Sequence, residues 1–186
     1  GKWLTLGMVV DAPSRALWVC AADQDTDPWY GELWRFDLET KQRTAIVPLS
    51  SGGESAWCED VTVDSQGNAY ATDRENPNIY KVAKGASVAT LFATDPELGS
   101  SFIGQNGIIV LPGDTALIAA VHFPARLNRI DIPSGVVTPK HSAERRARPA
   151  PAVIGETRAD TLRGVAPMGT GLHRHPADAL RPGGRA

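Results

Sequence analysis

The sequence predicts an all-β fold: a β-propeller, with about three four-stranded blades of a six-bladed ring, followed by a tail of different character. Three observations carry this. A unit of four short strand signals separated by turns occurs three times, its copies beginning at Leu6, Glu59 and Asn106, at offsets of 53 and 47 residues. In the second copy Val61 and Val63 alternate with polar neighbours, the period-two mark of a half-buried strand. The spacing is that of one propeller blade per repeat.

The first blade occupies residues 4–48. Its inner strand is Leu6-Gly7-Met8-Val9-Val10-Asp11, its turn Ala12-Pro13-Ser14, its second strand is centred on Trp18, and its third is Glu32-Leu33-Trp34-Arg35-Phe36-Asp37. A short fourth run covers residues 44–47. Between the second and third strands lies an insertion with Asp23, Asp25 and Asp27 at alternate positions, as at the opening of a calcium loop. The pattern then fails where that loop needs Gly, since Pro28 stands there, and where it needs a bidentate Glu, since Trp34 stands there. A solvated loop ending in the aromatic anchor Trp29-Tyr30 is expected.

A Ser/Gly-rich linker at 49–56 leads to the second blade, residues 57–93. Val61 and Val63 alternate with polar neighbours, Asp64-Ser65-Gln66-Gly67 supplies turn chemistry with Gly67 free to take a positive φ, and strands follow at 68–72 and 79–82. The third blade, residues 104–139, repeats the order with Asn106-Gly107-Ile108-Ile109-Val110-Leu111, a turn at Pro112-Gly113-Asp114, a strand centred on Leu117 and another over residues 126–131.

Composition sets limits on partners. With 19 basic and 21 acidic residues among 186, the chain has a formal charge of −2 and offers no electrostatic footprint for nucleic acid. No apolar run approaches the roughly 18 residues of a membrane span, so no membrane partner is expected. Gly1-Lys2-Trp3 carries neither an initiating Met nor a signal-peptide pattern, and the expectation is that the true start has been removed, which leaves the compartment open. Two cysteines make no disulfide framework: Cys20 ends a strand of the first blade, Cys58 precedes one of the second, and free buried thiols are expected.

The propeller is expected over residues 1–140. Residues 141–186 hold eight Arg, no Lys and no aromatic residue, with four acidic residues, so this stretch carries +4 and the body −6. Too poor in large apolar residues to offset its ordering entropy, it is expected to be disordered or a loosely attached helix around 156–165. The abrupt Arg/Ala/Pro/Gly bias reads as an out-of-frame continuation of a GC-rich gene. Three blades also leave two raw faces, which predicts marginal stability or self-association through open propeller edges.

In a propeller the inner strands run the same way along the channel, so positions of equal register form a ring. Leu6, Glu59 and Asn106 share one register, with Gly7, Asp60 and Gly107 one step on. The meander returns each loop between second and third strands to the same mouth, which places Asp23, Asp25, Trp29 and Tyr30, then Asp73, Arg74 and Glu75, then His122 and Phe123, around one pocket. A cluster of carboxylates and an amide with few competing cations suits a hard cation such as calcium. Such a cation polarises a carbonyl while a carboxylate activates water. The alternative for the same residues is structural: Asn106-Gly107 as a turn pair and Asp60 as a cap for backbone amides.

The stretches 58–70 and 105–113 resemble the SMP-30/gluconolactonase/LRE-like family of six-bladed propellers, and the likeness extends over roughly residues 4–139. The resemblance implies a calcium- or zinc-dependent hydrolase of lactones or related esters. Its Asn-Gly-Ile step implies Asn106 as a metal ligand. Its Asn-Asp step matches Glu59-Asp60, with Glu in place of Asn, and implies contacts there to substrate or to the groups around the metal. The reading that follows makes Asp60 catalytic, Asn106 and Glu59 metal ligands, and Glu59, Asp73 and His122 substrate-binding, with calcium the expected cation and zinc a second candidate. The family's first-blade Glu and its later-blade Asp, ligand and general base, have no counterpart here, so this chain by itself is expected to be inactive. A non-catalytic propeller serving as a binding platform is the competing class.

Overall fold

The computed structural model describes residues 1–50 and 55–140, and the expectations for 141–186 lie outside the described residues. Twelve strands form three antiparallel four-stranded sheets, each a simple meander. The first holds β1 (Trp3–Asp11), β2 (Ala16–Asp23), β3 (Tyr30–Asp37) and β4 (Arg43–Pro48). The second holds β5 (Cys58–Val63), β6 (Ala69–Asp73), β7 (Asn78–Val82) and β8 (Thr90–Thr94). The third holds β9 (Gln105–Val110), β10 (Ala116–Val121), β11 (Arg126–Asp131) and β12 (Val137–Lys140). This is the all-β blade architecture that the triple repeat predicts. The described helical structure is one 3₁₀ turn, Pro96–Leu98, capped by the Asp95 carboxylate.

The innermost strands lie side by side. β5 packs against β1 and β2 of the preceding sheet, and β9 against β5 and β6. Two apolar layers fill the gaps between sheets. Trp18, Leu33, Val47, Val61 and Val82 make the first, and Tyr70, Ile79, Leu98, Ile108, Leu117 and Ile130 the second. Burial of large side chains at about 1.5–3 kcal/mol each holds the blades face to face.

Turn chemistry is as the residue types dictate. Gly67 takes φ +85°, and the Asp64 carboxylate gathers the Gln66 and Asn68 backbone N–H groups at 3.0 and 2.8 Å and the Tyr70 hydroxyl at 3.1 Å. The same turn donates its Ser65 N–H to Asp114 in the equivalent turn of the third sheet, at 3.1 Å. The second and third sheets are thereby tied to each other at their turns and not only through the apolar layer between them.

One expectation is corrected. Cys20 and Cys58 form a disulfide, with Cα atoms 5.0 Å apart. The end of β2 and the start of β5 meet because the inner strand of one blade packs on the second strand of the blade before it. Both cysteines are fully buried at that junction.

Candidate functional site

At the same point in each sheet the inner strand breaks register with its neighbour. The shift falls between Thr5 and Met8 in β1, between Cys58 and Val61 in β5, and in β9 opposite the step from Ala119 to Val121. The residues in these three bulges are Leu6-Gly7, Glu59-Asp60 and Asn106-Gly107, the positions that the repeat aligns as a ring. A bulge re-aims side chains and frees them from alternation. That is why these positions carry no consistent in-out pattern in the sequence.

Beyond each bulge the inner strand is pinned to the end of the second strand by one equivalent hydrogen bond. Gln24 N–H donates to the Lys2 carbonyl at 3.1 Å, Arg74 N–H to that of Trp57 at 2.9 Å, and His122 N–H to that of Gly104 at 2.9 Å. The loops after β2, β6 and β10 therefore open at one end of the array, the mouth that the meander predicts. Gln24, Arg74 and His122 are equivalent residues.

The bulge carboxylates differ in their surroundings. Asp60 is a clasp. Its Oδ2 accepts the Ile108 N–H at 2.9 Å, and its Oδ1 fills the space where a Gly7 Cβ would stand, only 1.9 Å away. Its backbone N–H donates to Thr72 Oγ1 at 3.1 Å, and that hydroxyl lies 3.1 Å from the Asn106 carbonyl. One aspartate and one threonine thus join β1, β5, β6 and β9. Glu59 accepts the Trp57 indole N–H at 2.9 Å and stands 3.8 Å from the Arg74 guanidinium. Burial pushes its carboxyl above the usual carboxylate range. Arg74, the Trp57 hydrogen bond and His122 pull it back, and Asp60 adds to the rise.

Of the other predicted residues, Asp73 is fully buried. Its Oδ1 accepts backbone N–H groups from Trp57 at 3.0 Å, Glu75 at 3.0 Å and Asn76 at 3.2 Å, so it shapes the loop beneath the mouth. Asp23 does the same for the first loop, accepting the Asp25 N–H at 3.0 Å. Asn106 and His122 are exposed, His122 close enough to Glu59 for its charge to be felt. Among the described residues no group of three or more His, Cys, Asp or Glu side chains is arranged to hold a metal ion.

Two residues, Gln105 and Trp57, carry weight that the sequence did not reveal, and Trp57 acts together with Arg74, which the meander already places at the mouth. Gln105, fully buried, donates from Nε2 to the carbonyls of Asp73 at 3.2 Å and Asn78 at 2.7 Å, and so clamps the second loop to the third blade. Trp57 and Arg74 form the wall of a cavity of about 560 Å³ that opens between the first two loops. The Trp57 ring meets Trp29 edge-on at 5.1 Å and lies under the Arg74 guanidinium at 5.3 Å. Leu4 and Leu6 add apolar surface, and Lys2 and Asp25 add charge of both signs at the rim. Arg74 Nε is buried with no hydrogen-bond partner among the described residues. The equivalence of Arg74 to Gln24 and His122 was the available signal for its place.

No family model matches the chain, and no curated protein matches it. Solved structures do. The chain is similar to the major allergen Mala s 1 of Malassezia sympodialis (18% identity, TM-score 0.57, 75% of this chain and 48% of that one). It is similar to a chain of the nidogen/laminin complex (10% identity, TM-score 0.55, 73% and 47%). It is also similar to virginiamycin B lyase from Staphylococcus aureus with quinupristin (14% identity, TM-score 0.52, 77% and 57%). These are propeller-fold proteins, a lyase and a member of a binding complex among them, and at such identities the likeness defines the fold. The chain spans about half the length of the structures that it matches.

Proposed function

We propose that the mouth binds a small molecule that combines a flat or ring-shaped apolar part with a carbonyl or carboxylate. The observation that carries this is the cavity walled by Trp29, Trp57 and Arg74. A ring packs against indole, while the guanidinium, already held over Trp57 and with Nε lacking an acceptor, takes the oxygen. A cyclic ester has this shape, and so does the open hydroxy acid that its hydrolysis yields. Titration with δ-valerolactone and with 5-hydroxyvalerate, read by tryptophan fluorescence, tests the reading. Arg74→Ala should weaken binding about tenfold or more, as loss of a charge-assisted hydrogen bond of about 1.5–3 kcal/mol implies. Unchanged affinity in that variant overturns it.

A second reading makes the complete propeller a calcium-dependent hydrolase of lactones, related to the SMP-30/gluconolactonase family. It is favoured by Asn106 and Glu59 lying in bulges of neighbouring inner strands, with His122 at the rim. The described residues do not by themselves fit a cation that takes six to eight oxygens. Asp60 Oδ2 is held by the Ile108 N–H, its Oδ1 is packed against Gly7, and Glu59 accepts the Trp57 indole N–H. The remaining ligands would come from outside the described residues. Calcium should raise the melting temperature of the full-length protein and lose that effect in Asn106→Ala. A melting temperature indifferent to calcium removes this reading and leaves the first.

A further inference from the structure

On the face opposite the mouth, a second cleft of about 520 Å³ separates the first sheet from the turns of the second. Its wall on the first sheet is a cross-strand row: Trp18 of β2 pairs with Arg35 of β3, which pairs with Ala45 of β4. Its other wall is formed by Gly67 and the turn Lys84-Gly85-Ala86-Ser87. We infer that this cleft is a binding site for a small oxyanion, a carboxylate or a phosphate.

Four observations converge on that chemistry. The Trp18 side chain is 5% exposed, and its indole N–H finds no acceptor among the described residues, a buried donor left open where the cleft begins. Arg35 is set in place before any ligand arrives: its guanidinium lies 5.9 Å from the centre of the Trp18 ring, and Nη1 donates to Thr44 Oγ1 at 3.1 Å. Lys84 faces it from the second blade, its stem lying along Gly67 and its backbone N–H fixed to Asn68 Oδ1 at 3.1 Å. Among the described residues neither cation is in an ion pair. The cleft holds one carboxylate, Asp11, buried and turned to the Ser14 N–H at 3.3 Å, so cations outnumber it two to one. The hydroxyls of Ser14 and Ser87 complete a donor-rich lining.

An oxyanion entering here would bridge Arg35 on one blade and Lys84 on the next, and would approach the unpaired indole N–H. The site is separate from the mouth, and the two are read by different tryptophans. In the full 186-residue chain, indole N–H resonances are followed by NMR during titration with inorganic phosphate and, separately, with succinate at constant ionic strength. The Trp18 signal is assigned from a Trp18→Phe spectrum. The expected result is a saturable downfield movement of the Trp18 signal with Trp57 unmoved, weakened at least fivefold in both Arg35→Gln and Lys84→Gln. The anion that saturates at lower concentration identifies the source. Movement that does not saturate, that chloride reproduces, or that survives Lys84→Gln unchanged overturns the inference. Lys84 is exposed, so Lys84→Gln should keep the fold, and a failure of Arg35→Gln to fold leaves the test intact.

Discussion

Asp60 and Glu59 are consecutive, yet neighbours on different strands give them different work. Asp60 Oδ2 holds a backbone N–H of the next blade. Asp60→Ala should therefore destabilise the protein by about 1–3 kcal/mol in urea unfolding, the cost of an unsatisfied buried donor, with Asp60→Asn milder. Gly7→Ala should cost more than an ordinary Gly→Ala change, because a Cβ there would lie 2.7 Å from the Asp60 Cα as well as against its carboxylate. Adding Asp60→Ala should not rescue it, since the Cα clash remains. Glu59 makes a pH prediction. Its carboxyl is raised by burial, so the folded state disfavours the charged form relative to the unfolded chain. That penalty is present above the folded-state value and vanishes as pH falls below the ordinary carboxylate range. Unfolding free energies of the wild type and of Glu59→Gln, measured from pH 7 down to pH 4, should show the wild type gaining on the variant as the solution becomes more acid. A difference constant across that range would mean that Glu59 is not held up by its surroundings.

Strands and turns were legible because their signals are local. Period-two alternation gives the strand, and Asp with Gly gives the turn, as the positive φ of Gly67 illustrates. The repeat also exposed the ring positions, since equal register needs only an alignment of the three copies. What it could not show was that all three lie in bulges, where alternation stops reporting which way a side chain points. The Cys20–Cys58 disulfide was missed for a related reason: the two residues are 38 apart in sequence and meet only through packing of β5 on β2. That bond joins two blades directly. Cys20→Ser with Cys58→Ser should cost about 2–4 kcal/mol, as expected for closing a loop of this length, and the denaturation midpoint of the wild type should fall by a similar energy on adding reductant. Variants that unfold at the wild-type midpoint would assign blade cohesion to the apolar layer of Trp18, Leu33 and Val61 alone.

An array of three sheets has an outer face at each end, and the alternation that packs one side of a strand leaves the other side bare. In β1, Val9 packs into the layer between the first two blades, while Met8 and Val10 on the opposite side are 58% and 55% exposed. In β9, Ile108 and Val110 pack inward and Ile109 is 56% exposed, alongside Ile118 across the ladder. These two faces have the composition of blade interiors. In a closed ring each would be covered by the next blade, and apolar surface of this kind left in water drives association. The 186-residue chain purified by itself should therefore sediment as a concentration-dependent oligomer. Because the first and third faces differ, their contact is head-to-tail and need not stop at two copies. Met8→Glu or Ile109→Lys should shift the weight-average mass toward the monomer without lowering the unfolding midpoint, since neither side chain is part of an internal layer. Sedimentation that is monomeric at all concentrations, or oligomers untouched by both substitutions, would mean that something other than a neighbouring blade already shields these faces.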